Sequence, residues 1–508
     1  YLDRDLRGEV PYLTRVGGLL RGQYWFDFKQ KQSNFTRDGR DTFSEEARDD
    51  ASGGELADAF VWTDWELGNV PVSLRYGDQV FNWGESTFIP GGVNSALPVD
   101  VAELRTPGSE VRDALKPIEA FFVSAGLTRN LSVQAYIQRD FEETDVDNCG
   151  TFFSTNDFVE DGCGPVFALG GISERQNLEN FPAAVLEREA DIKPDAEDQY
   201  GISLKYFSPA LGNTELGLYH VQFHSRLPLV SGRAKDPDNG LDFPTYRREF
   251  PEDIKLYGLS FNTTLPRGWS WSGEYTFKED VPLQINSFEL INGGNLEPFS
   301  QVFQRKTDGG DPKKVEDLKG KAVPGFERRN VSQLQTSFIQ FFDQAMGASR
   351  VTFVGEVGAT FVHSLPDKDE LRFGRSGNFG NGQFPKFTDE AGNTTTCEDI
   401  NINPTNCTNS GFVDEFSWGY VLSATWRYDS LLGSWNVLPN LAWSHDVNGN
   451  GPEPGAAFTD SQKSATVGVT FSRQREMEAS FEFVSFFGGD YNTLEDRNHV
   501  NASVSYSF

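Results

Sequence analysis

The stretch WSWSGEYTFK sorts its side chains by parity. Trp269, Trp271, Gly273, Tyr275 and Phe277 fall on one side, and Ser270, Ser272, Glu274, Thr276 and Lys278 on the other. A period of two with unlike faces is the mark of an extended strand. The pattern recurs along the chain. NLSVQAYIQ sets Leu131, Val133, Ala135 and Ile137 against Ser132, Gln134, Tyr136 and Gln138. The closing HVNASVSYSF places Val500, Ala502, Val504, Tyr506 and Phe508 opposite His499, Asn501, Ser503, Ser505 and Ser507. No apolar run approaches the length of a membrane-spanning helix, which excludes one.

The apolar faces carry Trp or Tyr near their ends and Leu, Val, Ala or Gly between, as in the strands holding Trp418 to Tyr428 and Trp435 to Trp443. A soluble sandwich would bury such faces under a second sheet. Aromatic residues bracketing an aliphatic band instead match a surface that meets lipid, where a closed sheet satisfies every backbone polar group. The chain is 13% aromatic, with 43 Phe, although only 37% of it is hydrophobic. The expected fold is all-β, a transmembrane antiparallel β-barrel forming one domain over 1–508.

The reading gives about sixteen strands: 14–29, 57–67, 70–77, 117–127, 129–141, 198–208, 214–226, 253–264, 268–278, 330–342, 349–363, 415–428, 434–445, 464–473, 476–486 and 497–508. An even number suits a closed bacterial barrel. The connections alternate between short ones (68–69, 209–213, 265–267, 343–348, 429–433, 474–475) and long ones. Short periplasmic turns and long extracellular loops have this asymmetry. The start, YLDRDLRGEV, has no signal-peptide pattern, and a chain opening on Tyr is expected to have lost its signal peptide already.

A formal charge of −30 disfavours nucleic acid as a partner. Cys149 with Cys163 and Cys397 with Cys407 form two close pairs in turn-rich stretches, and disulfides outweigh a zinc site that lacks CxxC spacing and nearby His. No GxSxG elbow occurs, and the five histidines (220, 224, 363, 445, 499) join no Ser/His/Asp grouping, so an enzyme is not expected.

RYGDQVFNWGESTFIPGGVN (75–94), ELRTPGSEVRDALKP (103–117), GEYTFKEDVPLQIN (273–286) and 199–228 resemble a Gram-negative outer-membrane family of uncharacterised domains. The resemblance implies a porin-like barrel, commonly encoded beside a periplasmic lipoprotein and an RND-type transporter, and associated with hydrophobic compounds. It brings no catalytic residues.

A barrel this wide leaves an aqueous channel unless something fills it. Loops 78–116 and 279–329 are the candidates for folding into the lumen. The expected lumen and constriction residues are Arg75, Trp83, Glu85, Arg112, Lys116, Glu274 and Lys278, with a short helix at SEVRDALK capped by Ser109. Arg21, Asp27, Glu356, Arg427, Glu478 and Glu482 also point inward by parity. The basic patch Lys306, Lys313, Lys314, Lys319 and Lys321 reads mainly as a solvated outer loop, with acidic loops or anionic headgroups as alternatives. His220 and His224 alternate, so both imidazoles could face the lumen and share a metal, though lumenal hydrogen bonding is the commoner role. Asp446, Asn448 and Asn450 match the first half of a Ca2+ loop whose twelfth position is Ala457, and DPDNGLD (236–242) is a similar acidic turn. No other cofactor is expected. Lipid and lipopolysaccharide are the expected surroundings.

The expected function is an outer-membrane channel passing small hydrophobic or amphipathic molecules, with a place as the outer part of an RND-associated system implied by the resemblance. The alternatives are a general diffusion porin for polar solutes, and an enzyme or structural barrel plugged by its own loops.

Overall fold

The structure is a computed structural model describing residues 2–507 apart from 32–35, 38–39, 42–44, 105–110, 157, 161–162, 168–173, 182–184, 389–391 and 474–475. Seventeen strands form one antiparallel sheet. They are β1 (Leu2–Asp5), β2 (Leu13–Phe26), β3 (Ser52–Leu67), β4 (Val70–Gln79), β5 (Ile118–Gly126) and β6 (Leu131–Gln138). Next come β7 (Tyr200–Ser208), β8 (Thr214–Phe223), β9 (Ile254–Leu265), β10 (Trp269–Gln284), β11 (Phe326–Asp343) and β12 (Arg350–Val362). The last five are β13 (Phe416–Leu432), β14 (Trp435–Asn448), β15 (Lys463–Arg473), β16 (Met477–Phe487) and β17 (His499–Tyr506). Each pairs with the next in chain order.

All sixteen strands read from parity are present. The seventeenth, β1, is too short to show a period, and it covers only Arg15–Gly18 of β2. Among the described residues the ladder begins at β1 and ends at β17. Phe508 and the 474–475 turn lie outside the described residues. Bounds moved most at β10, which runs past Lys278 to Gln284, and at β3, which starts at Ser52; β10 and β11 lengthen together because pairing resumes at Val281↔Arg329 after a bulge. Short turns take left-handed residues where the chain reverses, as at Gly68 (φ 70°) and Gly433 (φ 67°).

The two faces separate as parity dictates. Leu334, Leu259 and Phe481 are 53%, 52% and 59% exposed, while Gln335, Ser260 and Glu482 on the opposite face are buried. A half-exposed aliphatic surface running around the sheet is what acyl chains solvate and water does not.

Long loops fold together at one end. Helices α1 (Ser287–Gly294), α2 (Gln301–Thr307) and α3 (Pro312–Leu318) pack with Ala234, Val323, Leu371, Phe373 and Val413 in one apolar cluster. Each helix start is capped by a side chain, Asn286, Ser300 and Asp311 in turn.

Candidate functional site

After β4 the chain turns into the sheet's interior. Residues 80–97 carry little regular structure, so their amides need partners from elsewhere. The inner wall supplies them. Glu356 on β12 accepts the backbone N–H groups of Thr87 (2.9 Å), Phe88 (2.6 Å) and Ile89 (2.7 Å), and the Ser337 hydroxyl at 3.0 Å. Glu274 on β10 accepts from Glu85 N, from Val93 N (3.0 Å) and from Gln335 Nε2 (2.8 Å). Lys278 Nζ donates to the Gly91 carbonyl at 2.9 Å, and Gln333 Nε2 to that of Pro90 at 2.7 Å. Two carboxylates and one ammonium thus hold a loop whose own backbone bonds are few, as in the Val93–Ala96 turn.

The glycines make the approach possible. A β-carbon on Gly92 would overlap the Glu274 carboxylate, and one on Gly91 (φ 100°) would overlap Gln333. The other flank is apolar. Phe81 stacks on Phe122 (5.0 Å) and Tyr136 (4.8 Å), and Trp83 lies against Tyr136 and Tyr219. Val93, Ala96 and Leu97 complete this cluster against Val221, Ile254 and Leu256.

Of the expected lumen residues, Trp83, Glu85, Glu274 and Lys278 come together here. Trp83 Nε1 donates to Gln134 (2.7 Å), and Glu85 accepts from Asn262 (2.9 Å). Arg75 lies elsewhere, between the Phe60 and Phe122 rings at 5.7 and 5.4 Å. Lys116 leaves the group because loop carboxylates reach it first: Glu142 at 2.7 Å and Asp145 at 2.8 Å. Arg112 is exposed on a single 3-10 helical turn, Val111–Asp113, within the expected short helix; Ser109 lies outside the described residues. In loop 279–329 the helices pack on neighbouring long loops through the cluster of Ala234, Leu371, Phe373 and Val413. From its basic patch, Lys319 pairs with Asp238 of DPDNGLD at 2.8 Å.

The two histidines have separate surroundings. His220 faces outward, stacked on Tyr257 (4.8 Å), because its register partners Ile202 and Tyr257 belong to the exposed face. His224 lies beyond the strand, its two ring nitrogens at Glu197 O (3.0 Å) and Asp253 N (3.2 Å). Asp446 accepts from Thr459 N (2.9 Å), and Asn450 accepts from Asp460 N (3.1 Å) while binding Asp414, so these oxygens tie a turn together. Asn448 is exposed at the end of β14. Among the described residues no three His, Cys, Asp or Glu are grouped to hold a metal.

Sequence reasoning missed the buried arginines of the long loops. Arg226 donates to Ala96 O, Glu142 O and Gln138 Oε1. Arg248 holds Asp191 (2.7 Å), and Arg372 holds Glu289 (2.7 Å). Arg375 donates to the carbonyls of Thr408, Ser410, Phe379, Gly380, Asn381 and Asn406. Burial pushes the Arg226 and Arg375 guanidinium groups down to about 10. Their only signal was Arg within Gly/Asn/Ser-rich loops, which looks solvated. The cysteines pair as 149–163 and 397–407, with Cα separations of 5.9 and 5.8 Å. The first of these loops crosses to the far side, where Phe152 and Phe153 meet His499 and Arg497 lies over Phe152.

The interior is therefore lopsided. Segment 80–97 fills the side bounded by β5–β12. On the other side the inward residues Arg21, Gln23, Glu55, Arg75, Glu478, Ser503 and Ser505 stay exposed.

A lipid-compatible outer face, a polar inner wall and a loop folded inside define a transmembrane β-barrel of porin type. The chain belongs to the family described as a protein of unknown function (DUF1302), whose model matches residues 3–508. Among solved structures it is similar to Acinetobacter baumannii OccAB3 (9% identity, 97% of this chain and 88% of that one, TM-score 0.43). It is also similar to a BenF-like porin from Pseudomonas fluorescens Pf-5 (9%, 97% and 86%, 0.40) and to Pseudomonas aeruginosa OpdK with vanillate (10%, 98% and 88%, 0.39). No curated protein matches the chain.

Proposed function

We propose that this barrel is an outer-membrane channel for small amphipathic molecules, narrowed by segment 80–97 to a passage beside β2–β4 and β16–β17. The observation that carries the reading is the lopsided interior: one side is filled by segment 80–97 apart from a small polar cavity, and the other keeps polar and charged side chains exposed. A loop held by Glu274 and Glu356 acts as a fixed constriction. A structural plug would pack against both walls.

The preference for hydrophobic or amphipathic over purely polar molecules rests on the family resemblance, as does a periplasmic lipoprotein or RND-type transporter as partner. Such a partner would meet the short-turn end, where Met346, Leu431 and Leu432 are 76%, 58% and 58% exposed. The test is single-channel recording of the purified protein in planar bilayers. Discrete conductance steps are expected; a correctly folded barrel that stays silent overturns the reading. Liposome swelling with sugars separates a general diffusion porin, which passes them freely.

A further inference from the structure

Between segment 80–97, the inner wall and the β14–β15 loop lies a cavity of about 80 Å³. Lys278, Gln333 and Thr360 of the wall, Gly91 and Glu453 line it, with Val331 and prolines along its sides. Thr360 is 2% exposed and its hydroxyl has no hydrogen-bond partner among the described residues. A buried hydroxyl left unpaired costs free energy that a ligand or water would recover. Lys278 has one close acceptor, Gly91 O, and a distant one, Ser95 Oγ at 3.4 Å. Among the described residues the Glu453 carboxyl receives one hydrogen bond, from the Arg375 amide at 3.2 Å. Among the described residues Lys278 and Glu453 make no ion pair with each other, so the lining carries a base and an acid with unused bonding capacity.

We infer that this cavity is a binding station for a small zwitterion of amino-acid size. The carboxylate of the ligand meets Lys278 and Thr360, and its ammonium meets Glu453. A simple anion or cation would answer one charge and leave the other buried and unpaired, which low-dielectric surroundings penalise. Size sets the upper limit. A cavity of about 150 Å³ holds benzene, so this smaller one suits glycine, alanine or β-alanine, with Val331 beside a short aliphatic part. The inference rests on the reading of the interior as a path that solutes enter.

The test is calorimetry on the full-length barrel in detergent at neutral pH, with alanine, acetate and methylammonium as probes. Saturable alanine binding is expected, at least about tenfold tighter than either ion, which is the scale of one charged contact. Lys278→Met and Glu453→Gln should each weaken alanine by about tenfold or more. Because Lys278 also anchors Gly91, its loss could disturb the fold. Thr360→Val is nearly isosteric and keeps the test sharp, with a loss of about threefold or more expected from one hydrogen bond. The inference is overturned by no alanine binding to intact barrel (a site for water only), by acetate binding equally well, or by unchanged affinity in Thr360→Val. A barrel that conducts without binding alanine sinks this inference alone. One that binds alanine without conducting sinks the channel alone.

Discussion

The Arg226 guanidinium lies 3.0 Å from the carbonyl oxygen of Ala96, 130 residues earlier in the chain. This bond joins the loop after β8 to the end of the inward segment, so the constriction and the outer loops share an anchor. Replacing Arg226 by Met takes the donor from two buried acceptors, Ala96 O and Gln138 Oε1, at about 1–3 kcal/mol each, and from the half-buried Glu142 O. The expected result is a barrel that unfolds at lower temperature by gel-shift assay, with noisier open-channel current. An unchanged melting point and quiet current would contradict the shared anchor.

Glu356 gathers three successive amides, and its replacement should separate constriction from barrel. Glu356→Ala strips those amides of their acceptor while the outer ladder stays intact. Conductance should rise, with frequent transitions between levels, and the folded fraction in detergent should change little. Glu356→Gln keeps one oxygen and should fall between wild type and Glu356→Ala.

The outward face can be tested by charge. Arg in place of Leu259 or Leu334 should hinder insertion into vesicles by about 2–4 kcal/mol if those positions lie near the bilayer midplane. Arg in place of Ser503, on the open inner side, should leave insertion almost untouched and alter ion preference. Equal effects at all three positions would refute the assignment of faces.

Acid should release the outer loops late. Burial alone would raise Asp191, but hydrogen bonds from Arg188 (2.8 Å) and Arg248 (2.7 Å) outweigh it, and its pKa ends below the ordinary aspartate value. A depressed carboxylate stabilises the fold above its unfolded pKa, about 3.9, and loses that contribution as pH falls through the folded value. Hydrogen exchange around Thr245–Glu249, corrected for intrinsic rate, should be unchanged at pH 5 and rise only below about pH 4. Arg248→Met should already raise it at neutral pH.

The cysteine pair 149–163 closes a loop of 14 residues and fixes the strap that reaches His499. By loop-closure entropy such a bridge contributes about 3 kcal/mol at most. The Cys149→Ser, Cys163→Ser double variant should be nicked sooner by protease between 142 and 165, with the barrel resisting as before.

Much of this architecture was legible because lipid and lumen impose opposite chemistry on alternate residues. Sixteen strands follow from that parity alone, and Glu274 and Lys278 were visible as charges on an inward face. What they touch was not visible. The partner of Glu356 is a run of backbone amides at Thr87–Ile89, and backbone groups leave no trace in composition. His220 misled for a related reason, since an imidazole stacked on an outward tyrosine has the same spacing as one facing the lumen. Loop arginines such as Arg375 find carbonyls brought together only by folding.

The residues that secure segment 80–97 follow it by roughly 180 to 270 positions. Until β10 to β12 have been laid down, its amides have nothing to bind. During assembly the wall must come first, and the constriction settles afterwards into a pore that has stood wider until then.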